Sequence, residues 1–361
     1  MSAEQRLAEL RTAIDAVDDE LLELLNRRAA LTIEVGDVKR AEGDTVEFYR
    51  PDREANILRR LLAANPGPLP DEALARLVRE IISTCLSLEQ PLRIAYLGPE
   101  GTYTHVAAVK HFGGAVTPVA QGSVAEVFRE VEARACDYGV VPIENSVGGS
   151  VNLTLDCLAE SSVRICGEIV LAVHHQLLSQ ARAPADIRRV YAHAQALEQC
   201  RGWLGAHLPG VEQVALPSNA AAARRAAAEH DAAAIAGVDA ARIYDLPTLA
   251  PNIEDNPHNT TRFVVLGRSL PKATGDDRTM VMFSMANEAG ALHGMLSILA
   301  ERGISMSRIE SRPLRTGVWD YLFFVDLIGH VDDPAVAAAL AAMEQRAAAF
   351  KVLGSCPRAV I

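Results

Sequence analysis

The sequence lacks several features that would place it in a specialised class of protein. It has no uninterrupted apolar run of the roughly 18 residues that a membrane-spanning helix needs. Its 6 cysteines are scattered without a C-x-x-C pair or a metal-binding spacing, which indicates free thiols. Basic residues are not in excess, and the net charge of -11 argues against nucleic acid as a partner. The first eleven residues contain no apolar block of the kind found in a secretory signal, so we expect a cytoplasmic protein that does not bind membranes.

The chain does contain enough hydrophobic sequence for several folded domains. Hydrophobic residues make up 49% of 361 residues, and a chain of this length is expected to form two or three domains. Changes in pattern predict an all-helical segment over residues 1–91 and a two-lobed α/β segment over 92–270. After a polar stretch, residues 278–361 have the βαββαβ order of a ferredoxin-like sandwich.

The first segment is predicted to be helical throughout. Apolar residues recur every three or four positions from Leu7 to Val38, which is the heptad spacing of a long helix that packs along another long helix. Two further helices are predicted, one near Pro51 and one beginning at Asp71. Because a helix of this length has no core of its own in so small a segment, an intertwined homodimer is expected.

Charged residues interrupt the apolar faces of these helices. Arg28 occupies a heptad position, and Lys39 lies on the same face roughly 16 Å further along, so the two cations could bind a dianion. Alternatively, Arg28 could pair with a neighbouring glutamate. Glu89 continues an apolar face, where a protonated carboxyl could donate a hydrogen bond, or it could be exposed at the helix end. Arg11 lies roughly 25 Å from Arg28, so both can reach one small ligand only if Arg11 comes from a second protomer.

These residues belong to motifs that resemble the all-helical chorismate mutase family along the whole segment. The motifs are Leu10-Arg11, Asn26-Arg27-Arg28, Glu34-Val35-Gly36, Lys39 and Asp52-Arg53-Glu54. The resemblance implies a rearrangement of chorismate to prephenate that needs no metal or nucleophile. It implies catalytic roles for Arg28, Lys39 and Glu89 and substrate-binding roles for Arg53, Glu54, Cys85 and, from the second protomer, Arg11. The segment Phe48-Tyr49-Arg50 is longer than in some relatives, and Cys85 stands where some relatives carry serine.

The second segment alternates short apolar strands with helical patterns, which predicts a largely parallel α/β sheet. Strands are predicted at 93–97, 138–141, 165–173, 189–192, 232–235 and 262–266, and helices at 123–134, 196–207 and 219–229. Glycine-containing loops at 98–105 and 142–150 follow two of the strands. Such loops either form simple tight turns or bring backbone N–H groups close to an anion. Neither loop has the G-x-G-x-x-G spacing, so no nucleotide cofactor is expected.

Four motifs in this segment resemble the prephenate dehydratase family, in order and across its whole length. They are Gly98-Pro99-x-Gly101-Thr102-Tyr103, Val141-Pro142-Ile143-Glu144-Asn145-Ser146, His193-x-Gln195 and Thr261-Arg262-Phe263. The resemblance implies an active site between two α/β lobes, where Thr261 assists departure of the ring hydroxyl and Arg262 holds a carboxylate. The other predicted substrate-binding residues are Thr102, Glu144, Asn145, Ser146, Gln195, Ser218, Asn219 and Phe263.

The third segment is predicted to contain strands at 279–285, 304–312, 319–328 and 350–356 and helices at 291–302 and 334–348. A glycine opens its first helix, where backbone amides can receive a carboxylate. Residues 287–292 and 310–313 resemble the ACT domain that binds phenylalanine, although a purely structural ferredoxin-like module is an alternative. The implied phenylalanine site contains Asn287, Gly290, Ala291, Leu292, Glu310, Ser311, Arg312 and Pro313.

Together the resemblances imply a bifunctional enzyme of phenylalanine biosynthesis that needs no cofactor and is inhibited by L-phenylalanine. Chorismate and prephenate would be its substrates, and a second copy of the chain its partner. A non-catalytic sensor of small acids is an alternative, but it leaves Arg28, Lys39 and Glu89 on packing faces without explanation. In another alternative only one site is active. A mutase fused to a dehydrogenase would require the dinucleotide motif that the sequence lacks.

Overall fold

The computed structural model describes residues 2–42, 48–285, 288–313 and 321–360. Its N-terminal part is helical, as predicted, with α1 over Ala3–Glu42, α2 over Pro51–Ala63 and α3 over Asp71–Glu89. Both α1 and α2 pack against α3. Pro51 occupies the first turn of α2, where its missing N–H costs no hydrogen bond. Within the described ranges, every helix is too short or too polar to cross a bilayer.

The helix α1 exposes its apolar ladder when the chain is considered alone. Leu7 is 54% exposed and Ile14 is 59% exposed. Other exposed members of the ladder are Leu10, Val17, Leu21, Leu24, Leu31, Val35 and Val38. A contiguous apolar stripe along a helix of 40 residues is typical of a surface that packs against another protein.

The α/β part forms two lobes, as predicted, and the second lobe is inserted into the first. The first lobe contains β1 (Arg93–Leu97), α4 (Tyr103–Phe112), β2 (Thr117–Gln121), α5 (Val124–Glu132), β3 (Tyr138–Asn145), β4 (Gly149–Ser150), α6 (Asn152–Glu160), β5 (Arg164–Ala172) and β11 (Thr260–Gly267). The second lobe contains β6 (Gln176–Ser179), β7 (Arg189–Ala192), α7 (Ala194–Gln199), α8 (Arg201–His207), β8 (Glu212–Ala215), α9 (Asn219–Ala226), β9 (Ala232–Ala236), α10 (Val238–Ile243) and β10 (Thr248–Ala250). A short 3-10 turn, Pro184–Asp186, precedes β7.

The prediction of a largely parallel sheet is wrong, because both lobes contain mixed sheets. In the first lobe β1 is parallel to β2 and β3, whereas β11 is antiparallel to β3 and β5. In the second lobe β7 is parallel to β8 and β9, whereas β6 is antiparallel to β9 and β10. The chain leaves the first lobe at the end of β5 and returns to it as β11. Thr260 at the start of β11 pairs with Ala172 at the end of β5, so the chain re-enters the sheet at the end where it left and β11 runs antiparallel to β5.

The C-terminal domain has the predicted βαββαβ order. Its elements are β12 (Asp277–Met285), α11 (Ala291–Glu301), β13 (Met306–Pro313), β14 (Tyr321–Ile328), α12 (Pro334–Arg346) and β15 (Ala349–Pro357). The four strands pair antiparallel in the order β13-β14-β12-β15. The predicted strand that begins at residue 319 starts outside the described residues, and its described part begins at Tyr321.

The sheet of the C-terminal domain continues that of the first lobe, which the sequence did not predict. Strand β15 lies beside β5, where Gly354 pairs with Ile165. A side chain at Gly354 would overlap the backbone of Ile165, so glycine permits this close approach. Phe324 and Leu353 of the C-terminal domain pack in one hydrophobic cluster with Leu155 and Ile165 of the first lobe. The two units are therefore joined by a continuous core as well as by the linker.

Candidate active sites

A cavity of about 470 Å³ lies among the three N-terminal helices and residues 48–50. We call it the helical cavity. Its wall includes the predicted site residues Arg28, Lys39, Arg53, Glu54, Cys85 and Glu89. A cavity of this volume that combines apolar side chains with a few convergent charged groups is typical of a small-molecule site.

Lys39 and Glu89 form an ion pair in this cavity. The Lys39 Nζ donates to Glu89 Oε2 at 3.0 Å and to the carbonyl oxygen of Phe48 at 3.0 Å. The side chain of Glu89 is 6% exposed, so it is not the solvated helix end that the sequence left open. Arg28 donates to the carbonyl oxygen of Ile81 at 3.4 Å rather than serving as the partner of a glutamate. Two cations and a shielded carboxyl are therefore available to a ligand in one chain.

Glu54 is a cavity carboxyl whose pKa is shifted by burial. Its Oε1 lies 3.7 Å from Nε of Arg79, and it is hydrogen-bonded by Tyr49. Burial raises the pKa of Glu54 to about 7, although Arg79 and the hydrogen bond from Tyr49 act to lower it. A carboxyl that titrates near neutral pH can either donate a hydrogen bond to a ligand hydroxyl or accept one from it.

Arg11 is the predicted site residue that lies far from this cavity in its own chain. It is exposed on α1, roughly 25 Å from Arg28 along the helix axis. It lies on the same helix as the exposed apolar ladder. A second chain packed along that ladder is therefore the route by which Arg11 could reach a helical cavity.

A second site is formed where the two α/β lobes meet. Asn145 on β3 and Thr261 on β11 are cross-strand partners, and the Asn145 Nδ2 donates to Thr261 Oγ1 at 2.9 Å. The second lobe contributes Gln195, whose Nε2 donates to Asn145 Oδ1 at 3.3 Å. Because the Thr261 oxygen accepts the bond from Asn145, its own O–H is left to donate to a ligand. The structure thus brings together three predicted residues from both lobes.

Asn259 also belongs to this cluster, although the family motifs assign it no role. Its Oδ1 accepts from Asn145 Nδ2 at 2.8 Å, and the residue is only 1% exposed. Among the described residues its Nδ2 has no hydrogen-bond partner. Asn259 lies two positions before Thr261, and residues two apart in an extended chain share a face. That spacing was the signal that could have identified it.

The structure does not bring Glu144, Ser146 and Arg262 into this interlobe cluster. Glu144 pairs with Arg262 across β3 and β11, one position away from the Asn145–Thr261 pair. Successive side chains of a strand point to opposite faces, so the two pairs cannot face the same cleft. The three residues instead line a cavity of about 390 Å³ against the C-terminal domain. In this chain they therefore lie on the face opposite the interlobe cluster, and their contact with substrate stays a prediction.

Arg262 is instead the centre of a buried charge cluster. Its Nη2 lies 2.5 Å from Asp326 Oδ2 and 3.2 Å from Glu144 Oε2, and its Nη1 lies 3.3 Å from Glu168 Oε2. Burial alone lowers the pKa of Arg262, but the nearby carboxylates outweigh burial and raise the pKa above its ordinary value. Asp326 belongs to β14, so this cluster joins β11 of the first lobe to the C-terminal domain.

Two more predicted residues of the interlobe site have other surroundings. Phe263 is 1% exposed and packs in the core of the first lobe rather than in the interlobe cluster, and its contact with substrate stays a prediction. The strand register shifts between Arg262 and Phe263, which turns the ring inward. Asn219 lies at the start of α9, where its Oδ1 accepts from the backbone N–H of His193 at 2.8 Å.

Two predicted hydroxyl residues cap helices beside the interlobe site. The Thr102 Oγ1 accepts from the backbone N–H of His105 at 3.3 Å and begins α4. The Ser218 Oγ accepts from the backbone N–H of Ala221 at 3.0 Å and begins α9. Side-chain capping of this kind fixes the helix start, so both residues order the loops of the cleft.

The predicted phenylalanine-binding residues lie at the start of α11 and on β13. Gly290 has φ of +84°, a conformation that favours glycine, and it precedes the first turn of α11. Ala291 and Leu292 form that turn, and Leu292 packs against the core of the domain. Ser311 and Pro313 pair with β14, whereas the predicted Asn287 lies outside the described residues.

The other two predicted residues of this site contact the first lobe. Glu310 Oε2 accepts from Ser150 Oγ at 2.8 Å, and Arg312 Nη1 lies 2.5 Å from Asp156 Oδ1. Ser150 lies in β4, and β4 pairs with the part of β3 that contains Asn145. The strand β13 is therefore linked to the loop that follows the interlobe cluster.

Comparison with known proteins agrees with this arrangement. Family models match residues 10–90 as chorismate mutase type II, 94–270 as prephenate dehydratase and 279–345 as an ACT domain. The chain is 50% identical to the bifunctional chorismate mutase/prephenate dehydratases of Pseudomonas aeruginosa and Stutzerimonas stutzeri, with 100% of each chain covered. It also resembles the crystal structure of prephenate dehydratase from Arthrobacter aurescens in complex with L-Phe. That similarity has a TM-score of 0.69 and 36% identity, and it covers 74% of this chain and 90% of the other.

Proposed function

Because the chain belongs to the family of bifunctional chorismate mutase/prephenate dehydratases, we propose that it performs both reactions at the two sites described above. It rearranges chorismate to prephenate in the helical cavity. It then removes carbon dioxide and the ring hydroxyl from prephenate to give phenylpyruvate between the α/β lobes. The observation that carries this assignment is the presence of two separate clusters, each built from residues predicted for one of the two reactions.

In the mutase reaction the ether bond of chorismate breaks while a carbon–carbon bond forms. No proton or nucleophile has to be supplied, so catalysis depends on holding the reactive conformer and stabilising charge on the ether oxygen. Arg28 and Lys39 would bind the carboxylates and the ether oxygen. Glu89 would help when protonated, and Arg53, Glu54 and Cys85 would complete the binding surface. The contact of Lys39 with both Glu89 and a carbonyl supports this role, because it directs the ammonium into the cavity.

In the dehydratase reaction the ring loses its carboxylate as carbon dioxide while the electron pair of that bond expels the ring hydroxyl. The hydroxyl leaves as water after taking up one proton from solvent, and aromatisation drives the process. Thr261 would donate a hydrogen bond to the departing hydroxyl, a bond that becomes stronger as charge develops on that oxygen. Asn145 orients Thr261, and Gln195 would position the substrate from the opposite lobe. The free N–H of Asn259 is a candidate donor to a substrate carboxylate.

We also propose that the enzyme is a homodimer in which Arg11 completes the mutase site of the partner. Support comes from the exposed apolar ladder of α1 and from the roughly 25 Å that separate Arg11 from Arg28. The ladder has the heptad spacing that favours packing of two long helices. None of the described cysteines is in a disulfide, which supports a reducing compartment such as the cytoplasm.

The ACT domain is proposed to bind L-phenylalanine and to inhibit the dehydratase. Gly290, Ala291 and Leu292 would receive the ligand at the start of α11, and Glu310 to Pro313 would border it. The bond between Glu310 and Ser150 supports a link to the dehydratase, because a change at β13 would reach the loop beside Asn145. Such a link is the physical requirement for coupling between two sites.

Separate assays of two variants test the assignment of the two reactions. Chorismate loss and phenylpyruvate formation both change the ultraviolet absorbance. Arg28→Ala should lose most mutase activity and keep the dehydratase activity on added prephenate. Thr261→Ala should lose dehydratase activity by about 100-fold or more and keep the mutase activity, whereas Thr261→Ser, which retains the hydroxyl, should lose much less. Loss of both activities in either single variant would contradict two independent sites.

A further inference from the structure

The segment Phe48–Arg50 contributes to both the helical cavity and the dehydratase lobe. The function proposed above uses the Phe48 carbonyl as a partner of Lys39 but gives Tyr49 no role. The Phe48 carbonyl accepts from Lys39 Nζ at 3.0 Å. The same Nζ lies 5.3 Å from the centre of the Phe48 ring, within the range of a cation–π contact. Together with Glu89, Phe48 therefore determines the direction of the Lys39 ammonium. An ammonium has three donors, so one is left for the substrate.

The next residue, Tyr49, is anchored in the core of the dehydratase lobe. It is 3% exposed and belongs to the hydrophobic cluster of β1, α4, β3, β5 and β11. Its ring packs edge-on against His111 and Tyr138 and lies 5.1 Å from Phe112. Its hydroxyl lies 2.9 Å from His111 Nε2 and is also hydrogen-bonded to Glu54 of the helical cavity. Burial lowers the pKa of His111 to about 3, so this imidazole stays neutral at physiological pH.

The chain on the other side of Tyr49 is also held. Arg50 contacts Asp52 through two bonds, Nε to Oδ1 at 3.1 Å and Nη2 to Oδ2 at 2.8 Å. Pro51 fixes its own φ at the start of α2. Adjacent Cα atoms are joined by a planar peptide about 3.8 Å long, so an anchored Tyr49 restricts the position of the preceding carbonyl. The Phe48 carbonyl is thus placed independently of Lys39.

We propose that Tyr49 is a positioning residue for the mutase reaction. Anchored in the dehydratase lobe, it holds the Phe48 carbonyl and ring where they orient Lys39. The neighbouring domain therefore builds part of the mutase site. This inference rests on the proposed role of Lys39 in the mutase reaction, and it assigns a function to the segment that is longer here than in some relatives.

The test compares Tyr49→Leu and Tyr49→Phe with a matched control in the full-length enzyme. Tyr96→Leu is the control, because Tyr96 is equally buried in the same cluster but its ring packs against His105. Tyr49→Leu should lower mutase kcat/KM about tenfold, and Tyr49→Phe, which keeps the ring, about threefold. Both should leave dehydratase kcat/KM on added prephenate within about twofold of wild type. Tyr96→Leu should leave mutase kcat/KM within the same limit.

The same substitutions in a Lys39→Ala background separate positioning from a general structural effect. If Tyr49 acts through Lys39, its substitution should cause no further loss of the residual mutase rate in that background. An equal loss with and without Lys39 would overturn the proposal, as would unchanged mutase activity in Tyr49→Leu. If Tyr49→Leu does not fold, the mutase activity of Tyr49→Phe, measured with and without Lys39, tests the proposal in the same way. Full mutase activity of Lys39→Ala would instead refute the role of Lys39 on which the inference rests.

Discussion

Removal of the Asp326 carboxylate should weaken the junction between the ACT domain and the dehydratase. Asp326 is 2% exposed, and its oxygens lie 2.5 Å from Arg262 and 3.9 Å from Arg308. Breaking a buried ion pair by removing one partner typically costs about 3–5 kcal/mol, because the other charge stays buried. Arg262 would keep Glu168 and Glu144 as partners. We therefore expect Asp326→Ala to cost about 3 kcal/mol, at the lower end of this range.

The lost free energy should change both the unfolding of the enzyme and its inhibition by phenylalanine. A loss of about 3 kcal/mol shifts the equilibrium between the joined and separated domains by roughly two orders of magnitude. We expect an earlier first transition in urea, followed by circular dichroism, and weaker inhibition of the dehydratase by phenylalanine. Glu198→Ala is the control, because it removes an exposed pair with Arg201, 3.6 Å apart with side chains 74% and 78% exposed. Such exposed pairs contribute roughly 0–1 kcal/mol.

Two results would refute this reasoning. If Asp326→Ala costs no more than Glu198→Ala, water reaches the cluster and the argument from burial is wrong. If the free energy of unfolding falls as expected but inhibition by phenylalanine is unchanged, the cluster stabilises the junction without coupling the two sites.

Two further predictions concern the helical domain. Glu54 has a folded pKa of about 7, above the ordinary value of 4.5, so its contribution to stability is present below pH 4.5 and is lost as the pH rises to about 7. The unfolding free energy of Glu54→Gln minus that of wild type should therefore rise by about 3 kcal/mol between pH 4.5 and pH 7. If this difference stays constant across that pH range, the pKa of Glu54 is not raised. Mixed dimers of Arg11→Ala and Lys39→Ala chains should contain one intact site of two, so an equal mixture of the chains should recover roughly a quarter of wild-type mutase activity. No recovery would show that Arg11 does not act across the dimer.

Much of the fold could be predicted from local sequence pattern. The heptad spacing of α1, the proline at the start of α2 and the order of elements in the ACT domain are local signals, and the structure confirms them. The strand directions were not predictable in this way. Whether β11 runs with or against β5 depends on where the chain returns after the second lobe, and no residue of either strand encodes that return.

The contact between the ACT domain and the first lobe was also hidden from local pattern. Gly354 and Ile165 lie far apart in sequence, and each is unremarkable within its own strand. The burial of Tyr49 likewise depends on the neighbouring domain, because its ring packs against α4 and β3 rather than against the helices next to it in sequence. The segment that contains Tyr49 departs from the mutase pattern, but its local sequence does not indicate the surface against which the ring packs.

Because side chains alternate along β11, the residues of the motif Thr261-Arg262-Phe263 have different surroundings and different proposed roles. A sequence motif implies a shared site, but consecutive residues of a strand point to opposite faces. Thr261 thus joins Asn145 in the interlobe cluster, and Arg262 joins Asp326 at the ACT domain. One peptide unit separates the proposed acid of the dehydratase from a contact with the regulatory domain. A ligand that changes the packing of β13 and β14 on the first lobe could therefore change the position of Thr261 through few intervening residues. This coupling requires that the ligand binds the two packing arrangements with different affinity.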